Sequence, residues 1–572
     1  MKKAFLFIAS ALMLLAMPTY AQSNNNVDEV VKIERHASRQ YREGEMIVKF
    51  KATSPVRVKE MGKKLTSGVN QVDRVFSELG ITAGEQLMPL TGGKSANRTK
   101  ALKSVTGQII PDADMTLLYR LKFDPKQMDV LQAIEKVKAL DDVEYAEPNY
   151  LVYALSSDDD VLFQHDDYDH YCKEPLYNEQ WGHHPLKTPF LWKQPKITDK
   201  RPVIAILDTG VDIEHPDLKD NIWINALEVE GSEGEDDDNN GFKDDLHGYD
   251  FVNQTGRLGD WNGHGTHCAG IAAAVGKNGK GITGANPDAL IMPVTVMQSD
   301  GTGDVATIIK GIDYAAANGA DIISMSIGGY GYSLAEEQAL AKAYSKAVLV
   351  AAAGNDNKCI YAHDCPVNKK YAMQNGPMFP AAFTFVLGVE ASVEGGNLAG
   401  FSNFDEDGPI FSQYNEEQLY NYELRAPGYS IMSTFPGGKY KALNGTSMAC
   451  PFVAGGLSRL LQVKEYPNWE ILFSDLIHTR KCNGYGDVDF EAAYNITDED
   501  RQPALGLVTY VLKDTIQHHQ CALSQPVQRK GGILFRRLLA PDPGKDPGKI
   551  RQYFHPFPVR RRGRYGPPST AL

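Results

Sequence analysis

At 572 residues the chain is too long for one ordinary domain and has room for two or three sizeable cores. Its formal charge of −13 argues against a nucleic-acid partner. Seven cysteines, an odd number, exclude complete internal pairing.

The N-terminus reads Lys2-Lys3, an apolar stretch over 4–17, then Thr19-Tyr20-Ala21, the order of a secretory signal peptide occupying residues 1–21. That stretch is too short for a comfortable membrane span and no second one follows. The expected mature protein is therefore secreted, extracellular or periplasmic, without a transmembrane segment. Residues 22–44 are polar and aperiodic, the composition of a flexible lead-in. From Glu45 the pattern changes: 46–50 reads as a strand, 69–79 as an amphipathic helix, 117–123 as an alternating strand, 128–140 as a second helix and 143–150 as a closing strand. Together they predict a small α+β unit over 45–155, followed by a linker over 156–178 that opens Ser156-Ser157-Asp158-Asp159-Asp160.

Over 179–500 strand-like apolar runs at 203–207, 290–296, 322–327, 348–353 and 383–389 alternate with helix patterns at 264–275, 305–318 and 334–346. Such alternation predicts an α/β domain, a mostly parallel sheet with helices on both faces. Cys359 and Cys365 lie close together in a polar stretch and form the expected disulfide. Beyond 500 the pattern weakens. Residues 505–512 read as one strand, and 529–572 carry 11 Lys or Arg against two Asp or Glu. That tail is either a disordered cationic extension or an altered reading frame.

Three motifs carry chemistry. Asn444-Gly445-Thr446-Ser447-Met448-Ala449-Cys450-Pro451 is a glycine-tipped turn entering the helix pattern 452–463, which puts the Ser447 hydroxyl at a helix N-terminus that favours developing negative charge. Asp208-Thr209-Gly210 ends a predicted strand, the edge where open α/β sheets place their sites. Gly263-His264-Gly265-Thr266-His267-Cys268-Ala269-Gly270 supplies an imidazole able to exchange a proton with a serine near neutral pH. The order Asp, His, Ser, joined by Ala351-Ala352-Ala353-Gly354-Asn355, resembles the subtilases, the subtilisin-like serine peptidases.

The resemblance implies a secreted serine endopeptidase that cleaves polypeptides through an acyl-enzyme. In it Ser447 is the nucleophile, His264 the base, Asp208 its orienting partner and Asn355 the oxyanion-hole donor. It also implies that Ser326, Ile327 and Gly328 pair with an extended substrate strand, that Gly301-Thr302-Gly303 forms the opposite edge, and that Ala353 and Gly354 wall an apolar specificity pocket. Residues 179–192 resemble the entry of such catalytic domains. The unit at 45–155 is similar to their inhibitory propeptides, with processing expected within 155–160, although an independent N-terminal domain without inhibitory role is the plainer reading. The expected enzyme is a monomer whose partners are its substrates and its own propeptide. His267, Cys268 and Cys450 are expected to be structural.

A second centre is Asp236-Asp237-Asp238-Asn239-Asn240-Gly241. Oxygens at alternate positions around a glycine turn suit calcium. Where a twelve-residue loop needs glutamate the chain has His247, so the expected ligands are Asp236, Asp238, Asn240, Asp244 and Asp245, against the alternative of a merely solvated acidic loop.

Overall fold

The computed structural model describes residues 40–61, 64–93, 102–104, 109–158, 174–229, 231–360, 376–405, 421–479, 487–498, 501–504 and 507–510. The chain divides into a unit spanning Met1–Gln525, which holds all of these, and a second, Pro526–Leu572, outside them. The signal-like N-terminus, the basic tail and Cys365 lie outside the described residues, and with them the expected Cys359–Cys365 bond.

The N-terminal α+β unit contains β1 (Tyr41–Phe50), α1 (Asn70–Leu79), β2 (Ile81–Gln86), β3 (Leu118–Phe123), α2 (Val130–Lys138) and β4 (Val143–Ala154). The strands pair antiparallel in the order β4-β1-β3-β2. The Asp129 carboxylate caps α2 by accepting from the Leu131 N–H, and Val130, Ala133, Ile134 and Val137 form its buried stripe. Along β1 the pleat divides its side chains between two cores: Met46, Val48 and Phe50 pack under the helices of this unit, whereas Ile47 joins the core of the large domain.

Two boundaries differ from expectation. β1 starts at Tyr41, inside the expected lead-in, because Tyr41 pairs with Tyr150 and Arg42 donates to Asp304 at 3.3 Å. β4 runs on to Ala154, because its second half finds partners in the large domain. A further two-residue strand, β5 (Ser157–Asp158), lies in the expected linker.

The large domain is α/β. It contains β6 (Val203–Asp208), β7 (Tyr249–Asp250), α3 (His264–Ala273), β8 (Leu290–Thr295), β9 (Thr302–Asp304), α4 (Val305–Ala317), β10 (Ile322–Met325), β11 (Ile327–Gly328) and α5 (Leu334–Ala343). It continues with β12 (Val348–Ala352), β13 (Leu387–Ser392), β14 (Leu424–Pro427), β15 (Ile431–Phe435), β16 (Lys439–Asn444) and α6 (Thr446–Val463). Seven strands form a parallel sheet ordered β7-β8-β6-β10-β12-β13-β14. Helices flank it on both faces, so a strand such as β6, Val-Ile-Ala-Ile-Leu-Asp, is buried along its whole length. The strand expected over 322–327 is split at Ser326. The segment expected as one strand over 505–512 pairs as a hairpin, Arg501–Ala504 with Leu507–Tyr510.

The two parts share β4. It is hydrogen-bonded to β1 in the N-terminal sheet and then threads between β9 and β11.

Candidate active site

β6 ends in Asp208, whose Oδ1 accepts from the Thr209 N–H at 2.7 Å and from His264 Nδ1 at 2.7 Å. His264 is the first residue of α3, and both side chains are buried. Burial opposes charge on the imidazole, but the Asp208 carboxylate outweighs it and holds the His264 pKa above its ordinary value. His267, one turn away, is driven the other way, to about 3, by burial, and its Nε2 lies 2.9 Å from the Lys441 carbonyl. It is a neutral structural residue.

Ser447 is the second residue of α6, which starts six positions before the expected helix start. The stretch expected as a glycine-tipped turn is helical from Thr446 on, and Pro451 sits inside the helix. Lacking an N–H, Pro451 leaves the Ser447 carbonyl, four residues back, without its intrahelical donor. That carbonyl accepts instead from Ser326 Oγ at 2.9 Å and from the Cys268 thiol at 3.4 Å. The helix break thus clamps α6 to the strand segment at Ser326. The Ser447 hydroxyl donates to the Ser326 carbonyl at 2.9 Å, and His264 Nε2, buried, has no hydrogen-bond partner among the described residues. Asp208 and His264 are joined; the serine–histidine bond is not made.

Asn355 follows β12. Its Oδ1 accepts from the Thr446 N–H at 2.9 Å and hydroxyl at 2.8 Å, which turns Nδ2 outward to donate to the Leu155 carbonyl at 2.6 Å. Gly445 lets that carbonyl in, since a Cβ there would collide with the Leu155 oxygen. Leu155 is the residue after β4, and the chain around it lies extended in a cleft. Thr302, Gly303 and Asp304 oppose Tyr153, Val152 and Leu151 on one side; Ile327 and Gly328 oppose Ala154 and Tyr153 on the other. Beyond Leu155, Ser157 and Asp158 pair with Asn444 and Leu443 of β16. The Leu155 and Val152 side chains are both 2 % exposed. Ala353 is fully buried, and Gly354 adopts φ +106° with its N–H on the Thr446 hydroxyl.

A carbonyl held by an amide donor at a helix N-terminus, beside a serine, with a carboxylate-backed imidazole near by, is an arrangement for acyl transfer. The thiols do not compete: burial drives Cys268 well above its ordinary pKa and pushes Cys450 up to about 11.

At the acidic loop, carboxylate oxygens of Glu228, Asp236 and Asp238 lie within 4.8 Å of one another. The sequence pointed to the last two; Glu228, eight residues upstream, carried no motif signal. Asp244 accepts from the Gly234 N–H at 2.8 Å. Asp245, fully buried, accepts from Tyr314, Asn240 and Asn225, and Asn240 also donates to Asp238 at 2.9 Å. Burial, and beyond it the Asp245 and Asp238 carboxylates, pushes the Glu228 carboxyl above its ordinary value. A set of hard oxygens with excess negative charge fits a divalent cation.

Residues 199–494 match the subtilase family, and residues 89–149 match the fervidolysin N-terminal prodomain. A thermophilic serine proteinase of Bacillus sp. (strain AK1) is 32% identical over 65% of this chain and 76% of its own length. Thermitase of Thermoactinomyces vulgaris is 34% identical over 49% of this chain and 82% of its own. The crystal structure of fervidolysin from Fervidobacterium pennivorans, described as a keratinolytic enzyme related to subtilisin, aligns with 80% of this chain and 62% of that one. Its TM-score is 0.54 at 24% identity, a likeness of fold.

Proposed function

The chain belongs to the subtilase family as a serine peptidase with a fervidolysin-like prodomain, and from that premise we propose that it is a secreted endopeptidase that matures by cutting its own Leu155–Ser156 bond. The observation that supports this reading is the Asn355 Nδ2 to Leu155 carbonyl hydrogen bond of 2.6 Å, which we read as an oxyanion-hole donor on the carbonyl of the bond to be cut.

In this reading residues 41–155 are the prodomain and the catalytic domain extends to about residue 500. Rotation about the Ser447 Cα–Cβ bond exchanges the Ser326 carbonyl for His264 Nε2, which has no partner to give up. The hydroxyl proton passes to Nε2 as Oγ attacks the Leu155 carbonyl carbon. The oxyanion formed keeps the Asn355 donor and gains the positive end of α6. Collapse expels the Ser156 amine, which takes the proton from His264, and water then hydrolyses the acyl-enzyme. Asp208 holds the ring throughout and stabilises its cationic form. After the cut, β4 remains bonded on both edges, so the prodomain stays in the cleft as an inhibitor until it dissociates. By the same logic the substrates are polypeptides with an apolar residue in the Leu155 position and another three residues earlier, where Val152 sits.

Calcium is the cation the acidic loop suits, with Glu228, Asp236 and Asp238 as the residues that would hold it. It would neutralise their mutual repulsion and tie the loop down.

Purified precursor tests the reading. Wild type should release a fragment whose C-terminal residue is Leu155, by mass spectrometry, while Ser447→Ala stays uncut and lacks peptidase activity. Cutting of the Ser447→Ala chain at the same bond in a protease-deficient host would overturn self-processing.

A further inference from the structure

Asp260 lies four residues before His264, outside every motif singled out in the sequence, and its carboxylate is 7 % exposed. Oδ1 accepts from the Thr209 hydroxyl at 3.0 Å, the Asn262 N–H at 3.0 Å and the Gly263 N–H at 2.7 Å. Oδ2 accepts from the Thr266 N–H at 2.9 Å and hydroxyl at 2.6 Å. One side chain thus gathers five donors from both structures that meet at the imidazole.

On the β6 side, Thr209 gives its N–H to Asp208 Oδ1, and its hydroxyl oxygen accepts from the Gly265 N–H at 3.0 Å. On the α3 side, the helix begins after Gly263, at φ +100°, a residue with no side chain to cap it. Asp260 does that work from outside the helix by taking the Thr266 N–H, the third of the helix. His264 lies between the two anchor points, and among the described residues its ring is held only by the bond to Asp208 and a long contact with Cys268 Sγ. We propose that Asp260 is a positioning residue for the hydrolytic reaction, its carboxylate tying Thr209 beside Asp208 to the first turn of α3 and so holding the His264 ring in register with Asp208 and Ser447. The inference rests on the active-site reading above.

The charge of Asp260 acts along with its geometry. The titratable groups around His264 are Asp208 on β6, Asp260 in the preceding loop, His267 and Cys268 on α3, with Sγ of Cys268 3.9 Å from Nδ1, and Cys450 on α6. Both thiols stay protonated and His267 neutral, so the two carboxylates are the charges that favour the imidazolium, Asp208 more strongly than Asp260.

The test compares wild type, Asp260→Asn and Thr266→Val, each produced as the full chain and, where its own processing is slow, matured by a trace of wild type. Peptide hydrolysis is normalised to titrated active sites across pH 5 to 9. Asp260→Asn keeps the size of the side chain but loses its charge and turns an acceptor into a donor. Its kcat should fall by about 10- to 10²-fold, the scale of a small misplacement of a reacting group, with KM within about twofold by the same argument. The acid limb of its kcat/KM profile should move to lower pH, because the imidazole loses one of its two stabilising carboxylates. Thr266→Val removes one donor and keeps the charge, so kcat should fall while the limb stays. A purely structural Asp260 would lower the melting temperature and the yield of active sites but move neither kcat per site nor the limb, and that result overturns the inference. Should Asp260→Asn fail to fold, wild-type kcat in Thr266→Val overturns it. Loss of activity in none of the variants, Ser447→Ala included, would instead sink the active-site reading on which this rests.

Discussion

Asn355 and Gly445 make opposite contributions to the carbonyl they surround, one by a donor and one by an empty space. Removing the donor in Asn355→Ala should lower turnover by about 10²- to 10³-fold, the usual cost of one oxyanion donor. KM and melting temperature should change little, since the lost partners, the Thr446 N–H and hydroxyl, lie at a helix start where water can replace the amide. Filling the space is harsher: the Cβ of Gly445→Ala would meet the Leu155 oxygen, so the precursor should persist uncut on a gel, and rapid processing would show that the carbonyl binds elsewhere. Asp208, His264, Asn355 and Ser447 sit in compact motifs and were legible in the sequence. Asp260 and Glu228 were not, because their proposed roles come from hydrogen bonds and charge proximity set by tertiary structure rather than from spacing.

At the scale of elements, α5 begins under an unusual pair of acids. Glu147 of β4 accepts from the Ser333 hydroxyl at 2.5 Å and from the Leu334 and Ala335 N–H groups at 3.1 and 3.2 Å. It thereby occupies the N-terminus of a helix in the other domain, where negative charge is welcome. Glu336 of that same helix turn is buried, with Oε1 unpartnered among the described residues; burial, then Glu147, raises its pKa to about 8. A carboxyl whose pKa rises on folding stabilises the fold most below its ordinary value of 4.5, and that contribution is lost as pH climbs through about 8. In uncut Ser447→Ala precursor the melting temperature should therefore drop between about pH 5 and 8 more steeply than in the same chain carrying Glu336→Gln. Parallel curves would mean that Glu336 is ionised in the folded precursor. Element boundaries were less legible than element types for a related reason. The start of α6 falls in the stretch that reads as a glycine-tipped turn, and Pro451 is tolerated inside the helix because the side-chain donors of Ser326 and Cys268 serve the Ser447 carbonyl it leaves unbonded. β2, Ile-Thr-Ala-Gly-Glu-Gln, has no apolar alternation to announce it and exists because β3 offers an open edge.

For the whole molecule, the join between prodomain and catalytic domain is built from charged and polar contacts around a strip of apolar ones. Lys342 donates to Asp112 at 2.8 Å and to the Gly93 carbonyl; Asp313 accepts from the Leu90 and Thr91 N–H groups at 2.8 and 2.7 Å; Lys310 engages Glu85, and Arg120 lies 3.7 Å from Asp304. In the proposed maturation these groups hold Leu155 at the site before any cut, so the cleavage should be intramolecular at high effective concentration. Its half-time should be unchanged over a hundredfold dilution of precursor, and a half-time that lengthens on dilution would mean that one molecule cuts another. Lys342→Ala should leave the cut in place but speed the onset of activity afterwards, by weakening retention of the cleaved prodomain.

The place of β4 between β9 and β11 has a consequence for the enzyme in a storage tube. Neighbouring strands stand about 4.8 Å apart, so β9 and β11, each bonded to β4, are too far from one another to pair when it leaves. The emptied slot cannot heal itself, and its two rows of donors and acceptors remain open to the next extended segment, including frayed ends of other copies. The mature enzyme should lose activity on standing at a rate that grows with the square of its concentration, and a dilute stock should outlast a concentrated one.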